Sequence, residues 1–231
     1  MKIYITIITI IFFNIILSEN LLNRTLSYNM KFRGIDAGQA FIKLEDDTLF
    51  NKNVLRLNSS LKTNRFLDFF YKIRDEITIY LNSQDLSLIK VINKIHEGKY
   101  IKNHIATFDG DLKKIISKKK SINTDIAYSP LSIIYSLRNK ILNLDDIYNY
   151  DIYSLGKIKA VNMKVIKTEI IKTSFGEFNT IVVSPISNDK TLIRNNGDMK
   201  IWFTNDHNRY PIKIELKINY GDLVLLLNSV K

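Results

Sequence analysis

The sequence predicts a mainly β protein: a large, curved, antiparallel sheet, half-barrel or barrel-like, with one packed α-helix. Apolar and polar residues alternate with period two over most of the chain after residue 25, and short turns separate the alternating runs. A single segment near residue 130 has the helical period instead. Because a long open sheet leaves exposed edges, roughly ten or more strands must curl, close or pack in two layers.

The N-terminus predicts a secretory signal peptide over residues 1–18. Lys2 precedes an apolar run over residues 3–17, and the small residue Ser18 suits the position before a cleavage site. The run is shorter than the roughly 20 residues that a membrane-spanning helix needs, and an uncleaved anchor is the alternative. We therefore expect a periplasmic or exported protein in which residues 19–231 form one β-rich domain. The chain has no cysteine, which excludes disulfides and lipid attachment to a cysteine.

The alternating runs predict the strands in chain order. In PIKIELKIN the apolar side chains point to one face and the charged side chains to the other, so we expect one face to be buried and the other to be exposed to solvent. The other predicted strands are LSYNMKF, GQAFIKLE, VLRLNSSLK, YKIRDEITIYL, LSLIKVINKI, IKNHIATF, IYSLGKIKAVNMKVIKTEII and GEFNTIVVSPI.

One strand carries a carboxylate on its apolar side. In YKIRDEITIYL, Asp75 alternates with Ile73 and Ile77, and a short helical turn is expected before this strand, near residues 64–70. A β-bulge around Asp75 would explain the misfit. The alternative hypothesis is that Asp75 forms an ion pair with Arg138 and so packs the helix on the sheet.

The segment SPLSIIYSLRNKIL predicts a helix over residues 129–142. Ser129 suits the N-cap and Pro130 the first helical position. At about 100° per residue the polar side chains share one arc of this helix and the apolar ones the opposite arc. The polar arc comprises Ser132, Ser136, Asn139 and Lys140. Arg138 falls inside the apolar arc, where a guanidinium must reach water or meet a partner.

The formal net charge of +11 favours anionic surfaces, although the abundance of Ile, Lys and Asn also fits a general compositional bias. The densest basic group is interpreted as a solvated loop: Lys113, Lys114, Lys118, Lys119 and Lys120. We expect no nucleic-acid partner, because the chain has no recognised reader motif.

Residues suited to metal or covalent chemistry are scattered. His96, His104 and His207 lack the close spacing of zinc ligands, so we expect no metal and no cofactor. Adjacent acids at residues 46–47, 109–111 and 145–146 are interpreted as turn residues. A carboxylate pair of the glycosidase kind stays open, because separation in space is not visible in sequence.

The chain's only tryptophan is near its end, in GDMKIWFTNDHNRYP. Trp202 shares a strand face with Lys200 and Thr204. We expect the indole to pack under a helix or loop, with a ligand-contacting wall as the alternative. Asp206 is expected to supply hydrogen bonds to the turn that follows.

Several motifs taken together resemble the bacterial exported family known as domain of unknown function 3108. They are YNMKFRGIDAGQA, LKTNRFLDFFYKIRDEITIYLNSQDLSLI, FDGDL, DIAYSPLSIIYSLRN, SFGEFNTIVVSP and the closing GDMKIWFTNDHNRYPIKIELKINYGDLVLLL. The resemblance implies a periplasmic or envelope-associated β-rich protein, similar in outline to half-barrel carriers of lipids and lipoproteins. It implies no established reaction. It draws attention to Arg138 in YSLRN and to the turn at residues 206–211.

Three functions follow as hypotheses. The first is a non-enzymatic binding protein whose curved sheet, closed by the helix, encloses an apolar cavity for a lipid or other amphiphile, with Arg138 and Trp202 as ligand contacts. The alternative is an envelope assembly or scaffold protein that binds another protein or an anionic surface and meets the membrane only peripherally. The third is a carboxylate-dependent hydrolase of an envelope polymer.

Overall fold

The computed structural model describes residues 21–118, 120–174, 176–186, 199–218 and 221–231, and all fourteen strands in these ranges belong to one antiparallel sheet. The predicted signal peptide lies outside these residues. The first eight strands are β1 (Thr25–Phe32), β2 (Ile35–Leu49), β3 (Lys52–Thr63), β4 (Arg74–Leu81), β5 (Leu88–Glu97), β6 (Tyr100–Asp109), β7 (Lys114–Ser117) and β8 (Lys120–Asn123). The last six are β9 (Ile147–Ser154), β10 (Lys157–Thr173), β11 (Gly176–Ile186), β12 (Met199–Thr204), β13 (Pro211–Ile218) and β14 (Gly221–Val230).

The strand order brings the two ends of the chain to the middle of the sheet. It runs from β8 through successive strands to β1, which pairs with β14, and then from β14 back to β9. The two edge strands, β8 and β9, are therefore consecutive along the chain. The segment that joins them must cross between the two edges of the sheet, and it carries the longer helix.

Two helices interrupt the strands, as the sequence predicts, but the second is shorter than expected. α1 (Arg65–Asp68) falls within the predicted helical turn, and α2 (Ser132–Arg138) occupies the middle of the predicted range 129–142. The N-cap of α2 is Leu131, which makes no side-chain capping bond, so the predicted N-cap Ser129 lies two residues before it. The Oγ of Ser129 accepts a hydrogen bond of 2.9 Å from the backbone N–H of Ser132 and so stabilises the turn that leads into the helix. Neither helix in the described part of the chain is long and apolar enough to cross a bilayer.

The core lies on the concave face of the sheet, and α2 lies inside that hollow. Every side chain from Ser132 to Leu137 is buried. The predicted polar arc is therefore divided: Ser132 and Ser136 are buried, whereas Asn139 and Lys140, just beyond the helix, are exposed. The hydroxyls of the two serines are satisfied internally: Ser132 bonds to Ser129, and Ser136 lies 3.1 Å from the Tyr150 hydroxyl. Because the helix occupies the hollow, the expectation that it merely closes an apolar cavity is not confirmed.

The alternation predicted for the C-terminal strands is found. In β13, Ile212 and Ile214 are buried, while Lys213 and Glu215 are half-buried on the outer face and form an ion pair of 2.9 Å. One face of the sheet therefore packs on the core and the other meets solvent.

A seam separates the two edges of the sheet, because the ladder of hydrogen bonds does not close. The connecting segment bridges this seam. Tyr128 exchanges backbone hydrogen bonds of 2.8 Å with β9, and Ala127 accepts one of 2.7 Å from Leu88 of β5. Near the seam the His104 ring lies 2.8 Å from the Tyr153 hydroxyl. The fold is thus barrel-like but unclosed, held together across the seam by one extended segment and by side chains.

Candidate functional site

The C-terminal end of α2 meets the turn between β12 and β13, which brings Arg138 and Asp206 into one region. The Nε of Arg138 donates a hydrogen bond of 2.8 Å to the carbonyl oxygen of Asn208. The guanidinium is half-buried, as its position in the apolar arc predicts. It therefore fastens the helix to the turn.

Asp206 organises that turn, as predicted. Its Oδ1 accepts hydrogen bonds from the backbone N–H groups of Asn208 and Arg209 at 2.9 and 3.0 Å, and from the hydroxyl of Thr204 at 2.8 Å. This is the side-chain mimicry of a turn for which aspartate is favoured. Arg209 has a positive φ of 46°, a conformation that these bonds support.

Two buried polar atoms near this region have no hydrogen-bond partner among the described residues: the Tyr135 hydroxyl and Nη1 of Arg209. Burial raises the pKa of Tyr135 well above its ordinary value, and the charge of Arg138 opposes this shift only in part. Burial also raises the pKa of Tyr148, the hydrogen bond to Asp146 adds to the shift, and the charge of Arg209 opposes it. Two guanidinium groups therefore lie close enough to influence tyrosines on and beside α2.

A half-open cleft of about 540 Å³ lies beside the seam, between α2, β9 and the turn that joins β4 to β5. Its walls combine tyrosine rings, amides and a few apolar side chains. The main lining residues are Gln84, Leu86, Tyr128, Asn139, Lys140, Ile147, Tyr148, Asn149 and Tyr150. Asp85 contributes the acidic group and Lys140 the basic one.

Three tyrosines fix the shape of this cleft. The rings of Tyr128 and Tyr150 meet edge to face with centroids 5.0 Å apart. The Tyr148 hydroxyl donates to the carbonyl oxygen of Ile141, just beyond α2. These contacts within the protein fix the orientation of the three rings.

Asp75 does not lie near Arg138. Its Oδ1 accepts a hydrogen bond of 2.9 Å from the backbone N–H of His96, and its carboxyl group shares a hydrogen bond with that of Glu97. The predicted pairing with Arg138, which contacts Asn208 instead, is therefore wrong. The predicted bulge is also absent at this position. Asp75 pairs regularly with Leu61 of β3, and the irregularity of β4 falls at Tyr80 and Leu81.

The Asp75–Glu97 pair has perturbed acidity. Burial raises the pKa of Asp75, and the hydrogen bonds from His96 and Glu97 oppose the shift. Burial also raises the pKa of Glu97, and the charge of Asp75 adds to the effect. Two carboxyl groups in direct contact leave no room for a sugar between them, since glycosidase pairs stand about 5 Å or more apart.

Trp202 lies on the outer face of the sheet, away from the cleft. The indole is 5% exposed, and its N–H donates to Glu169 of β10. The ammonium of Lys213 stands 4.0 Å from the ring centroid. The geometry therefore supports the predicted packing role. The indole is covered by the side chains of Glu169 and Lys213, however, and not by the helix or loop that was expected.

The remaining polar groups act locally. Asp109 accepts from the backbone N–H of Leu112, and Asp146 from that of Asn143, which confirms turn roles for these acids. Burial lowers the pKa of His104. No group of three or more potential metal ligands comes together within the described ranges.

The sequence interpretation missed the tyrosine cleft. Its signal is the run YNYDIY in β9, in which tyrosines recur at positions 148, 150 and 153. Tyrosine rings are apolar on their faces and polar at the hydroxyl. Repeated tyrosines on an edge strand therefore suit the wall of a cleft that is partly exposed to solvent.

Comparisons with known proteins agree with this architecture. A solved β-barrel-like protein of the domain of unknown function DUF1849 from Brucella abortus is similar in fold, with a TM-score of 0.58 and 10% identity, over 91% of this chain and 98% of that one. At that identity the likeness concerns the fold alone.

Curated relatives give a partial match. The chain is 28% identical over 107 residues to ribosomal RNA small subunit methyltransferase A from two strains of Borreliella burgdorferi. The match covers 46% of this chain and 37% of each methyltransferase, so the chain spans little more than a third of the curated relatives' length.

A family model covers almost the whole of the described sheet. It matches residues 27–228, from β1 into β14. The chain therefore belongs to the family described as "Protein of unknown function (DUF3108)".

Proposed function

We propose that this protein is a non-enzymatic binding protein of the bacterial envelope, which holds the head group of an amphiphile in the cleft beside the seam. The observation that carries the proposal is the cleft itself: about 540 Å³, half-open, and walled by Tyr128, Tyr148 and Tyr150. That volume lies within the roughly 300–1,000 Å³ typical of small-molecule sites.

The lining suits a molecule with an apolar body and a polar, anionic end. Leu86, Ile147 and the tyrosine rings offer apolar contact, and the amides of Gln84, Asn139 and Asn149 offer hydrogen bonds. Lys140 supplies a positive charge at the rim, and Arg138 and Arg209 lie around the same end of α2. Because the buried side chains of α2 occupy the interior of the sheet, the proposal places the ligand in the cleft and not in the cavity inside the sheet that the sequence favoured.

Envelope localisation belongs to the proposal. It rests on the lysine and the apolar run at the N-terminus. Non-enzymatic action is the simpler proposal because the lining of the cleft contains one carboxylate, Asp85, and the contacting pair Asp75 and Glu97 lies elsewhere.

The test is to obstruct the cleft. Ile147 lines it and is 50% exposed, so Ile147→Trp should place an indole in the opening without disturbing the core. Ile170→Trp is the matched control, since Ile170 is 62% exposed on β10 outside the cleft lining. The measurement is native mass spectrometry of protein purified gently from an envelope fraction, followed by extraction and identification of the bound molecule.

We expect the wild type and the Ile170→Trp variant to carry a bound amphiphile and the Ile147→Trp variant to have lost most of it. A wild-type protein that is always empty would overturn the proposal. So would a bound molecule that Ile147→Trp leaves in place.

A further inference from the structure

One end of the sheet carries a cluster of exposed aromatic side chains around α1. Phe66, Phe69 and Phe70 are 60%, 85% and 68% exposed, and Tyr71 is half-exposed beside them. The rings touch one another: centroids are 5.6 Å apart for Phe66 and Phe70 and 5.2 Å apart for Phe69 and Phe70. Contiguous apolar patches on a surface mark interaction sites, whereas isolated apolar residues do not.

The backbone that presents these rings is firmly built. The side chain of Asn64 accepts a hydrogen bond of 2.9 Å from the backbone N–H of Leu67 and so caps the single turn of α1. Asp68 forms paired hydrogen bonds with the guanidinium of Arg74 and a third with the hydroxyl of Thr63. The aromatic rings are therefore held outward by polar contacts on the opposite side of the turn.

The neighbouring hairpin between β5 and β6 extends the patch. The ring of Tyr71 lies against Gly98, where an added Cβ would stand 2.9 Å from the ring, and the N–H of Gly98 donates to the carbonyl oxygen of Lys72. Tyr100 and Ile101 of this hairpin are also exposed. We call the set the rim patch; it comprises Phe66, Phe69, Phe70, Tyr71, Tyr100 and Ile101.

Cations border the rim patch. Arg65, Lys72 and Lys99 are exposed within the same two segments. The carboxylate of Asp68, which lies among them, is paired with Arg74. Aromatic rings fringed by Lys and Arg are the combination found where proteins meet the interface of an anionic bilayer.

We propose that the rim patch docks this protein on the surface of an anionic lipid bilayer. The rings protrude from a convex turn, which suits insertion among lipid head groups better than the filling of a protein pocket, and the cations match anionic lipids in charge. The turn between β4 and β5, which lines the cleft, lies at the opposite end of β4. The cleft therefore faces away from the bilayer, and docking is independent of ligand binding.

The test is sedimentation of lipid vesicles with the chain from residue 19 onward. This chain contains every described strand and lacks the apolar run of residues 3–17, which would bind lipid by itself. Vesicles of phosphatidylcholine with an equal amount of phosphatidylglycerol are compared with vesicles of phosphatidylcholine alone, at low and high NaCl. The variants are Phe69→Ser with Phe70→Ser, and Lys72→Gln with Lys99→Gln.

The matched control lies in the turn between β2 and β3, at the other end of the sheet. Phe50 is 66% exposed there and Lys52 is close by, so Phe50→Ser and Lys52→Gln remove the same chemical groups from outside the rim patch. Thermal melting by circular dichroism checks that each variant is folded, since every mutated side chain is exposed.

We expect the wild type to bind the anionic vesicles, and this binding to fall at high NaCl. Binding should decrease at least tenfold in the double phenylalanine variant and severalfold in the double lysine variant. The control variants should bind as the wild type does. The proposal is overturned if the folded wild type binds neither vesicle, or if the phenylalanine variant binds as the wild type does. It is also overturned if Phe69 and Phe70 are needed to capture an envelope protein while vesicles are ignored.

Discussion

At the residue scale, Gly38 shows how closely the central strands approach one another. It has a φ of +151°, and an added Cβ would lie 2.1 Å from the carbonyl oxygen of Lys62 in β3. The pairing of β1 with β2 becomes irregular next to it, between Met30 and Lys31. Only glycine avoids both the strained backbone and the collision.

We expect Gly38→Ala to lower the free energy of unfolding by at least about 2 kcal/mol, because conformational strain and a backbone collision add. Gly34→Ala is the matched control. Gly34 also has a positive φ, of +81°, but nothing lies within 4 Å of an added Cβ, so the loss should be smaller, on the order of 1 kcal/mol. Urea denaturation followed by circular dichroism measures both, and equal losses would contradict the close approach.

The Asp75–Glu97 pair belongs to the same scale and predicts a pH dependence. Both pKa values are raised in the folded protein, chiefly by burial, above ordinary values of about 4. The unfolded chain therefore releases these protons at lower pH than the folded protein does. The pair's contribution to stability is fully present below the ordinary values and is lost as the pH rises through the raised ones.

We expect Asp75→Asn and Glu97→Gln, which stay neutral, to reduce this loss of stability with rising pH. The measurement is the free energy of unfolding at a series of pH values between 4 and 8 in wild type and variants. Glu76→Gln is the control, because Glu76 is exposed on the other face of β4. Parallel pH profiles for the wild type and the Asp75→Asn variant would show that the pair does not share its proton.

At the element scale, α2 is a core element despite its two serines. Ile133 and Leu137 are completely buried in the hollow of the sheet, whereas Ile141, just beyond the helix, is 74% exposed. A helix surrounded by strands has apolar contacts on every side, so its sequence need not be amphipathic.

We expect Leu137→Ala to lower the free energy of unfolding by about 2–5 kcal/mol, because it leaves a cavity where the helix meets the sheet. Ile141→Ala should change it by less than about 0.5 kcal/mol. Thermal and urea denaturation measure both variants. A small effect of Leu137→Ala would contradict the expectation that the packing of α2 against the sheet contributes strongly to stability.

At the scale of the whole molecule, the seam is the feature on which the proposed ligand binding depends. β8 and β9 remain edges, and the segment around Tyr128 covers part of the gap by pairing with β9 on one side and β5 on the other. Uncovered strand edges invite pairing with other chains, so bridging one edge by an extended segment protects it. The cleft forms where this coverage ends, whereas the rim patch lies at the opposite end of β4 from the turn that lines the cleft.

The sequence by itself determined the class of the fold, because period-two alternation is a local property of each strand. The helix near residue 130 and the turn built on Asp206 were also predictable, since a proline after a serine and an aspartate in a polar turn act within a few residues. Only the tertiary structure decided that Ser132 and Ser136 are buried, that Asp75 meets Glu97 and not Arg138, and that the tyrosines of β9 line a cleft. Each of these depends on which distant strands the curvature of the sheet brings together. The contacts that result from curvature cannot be read from the sequence of a single strand, because the twist accumulates over many strands.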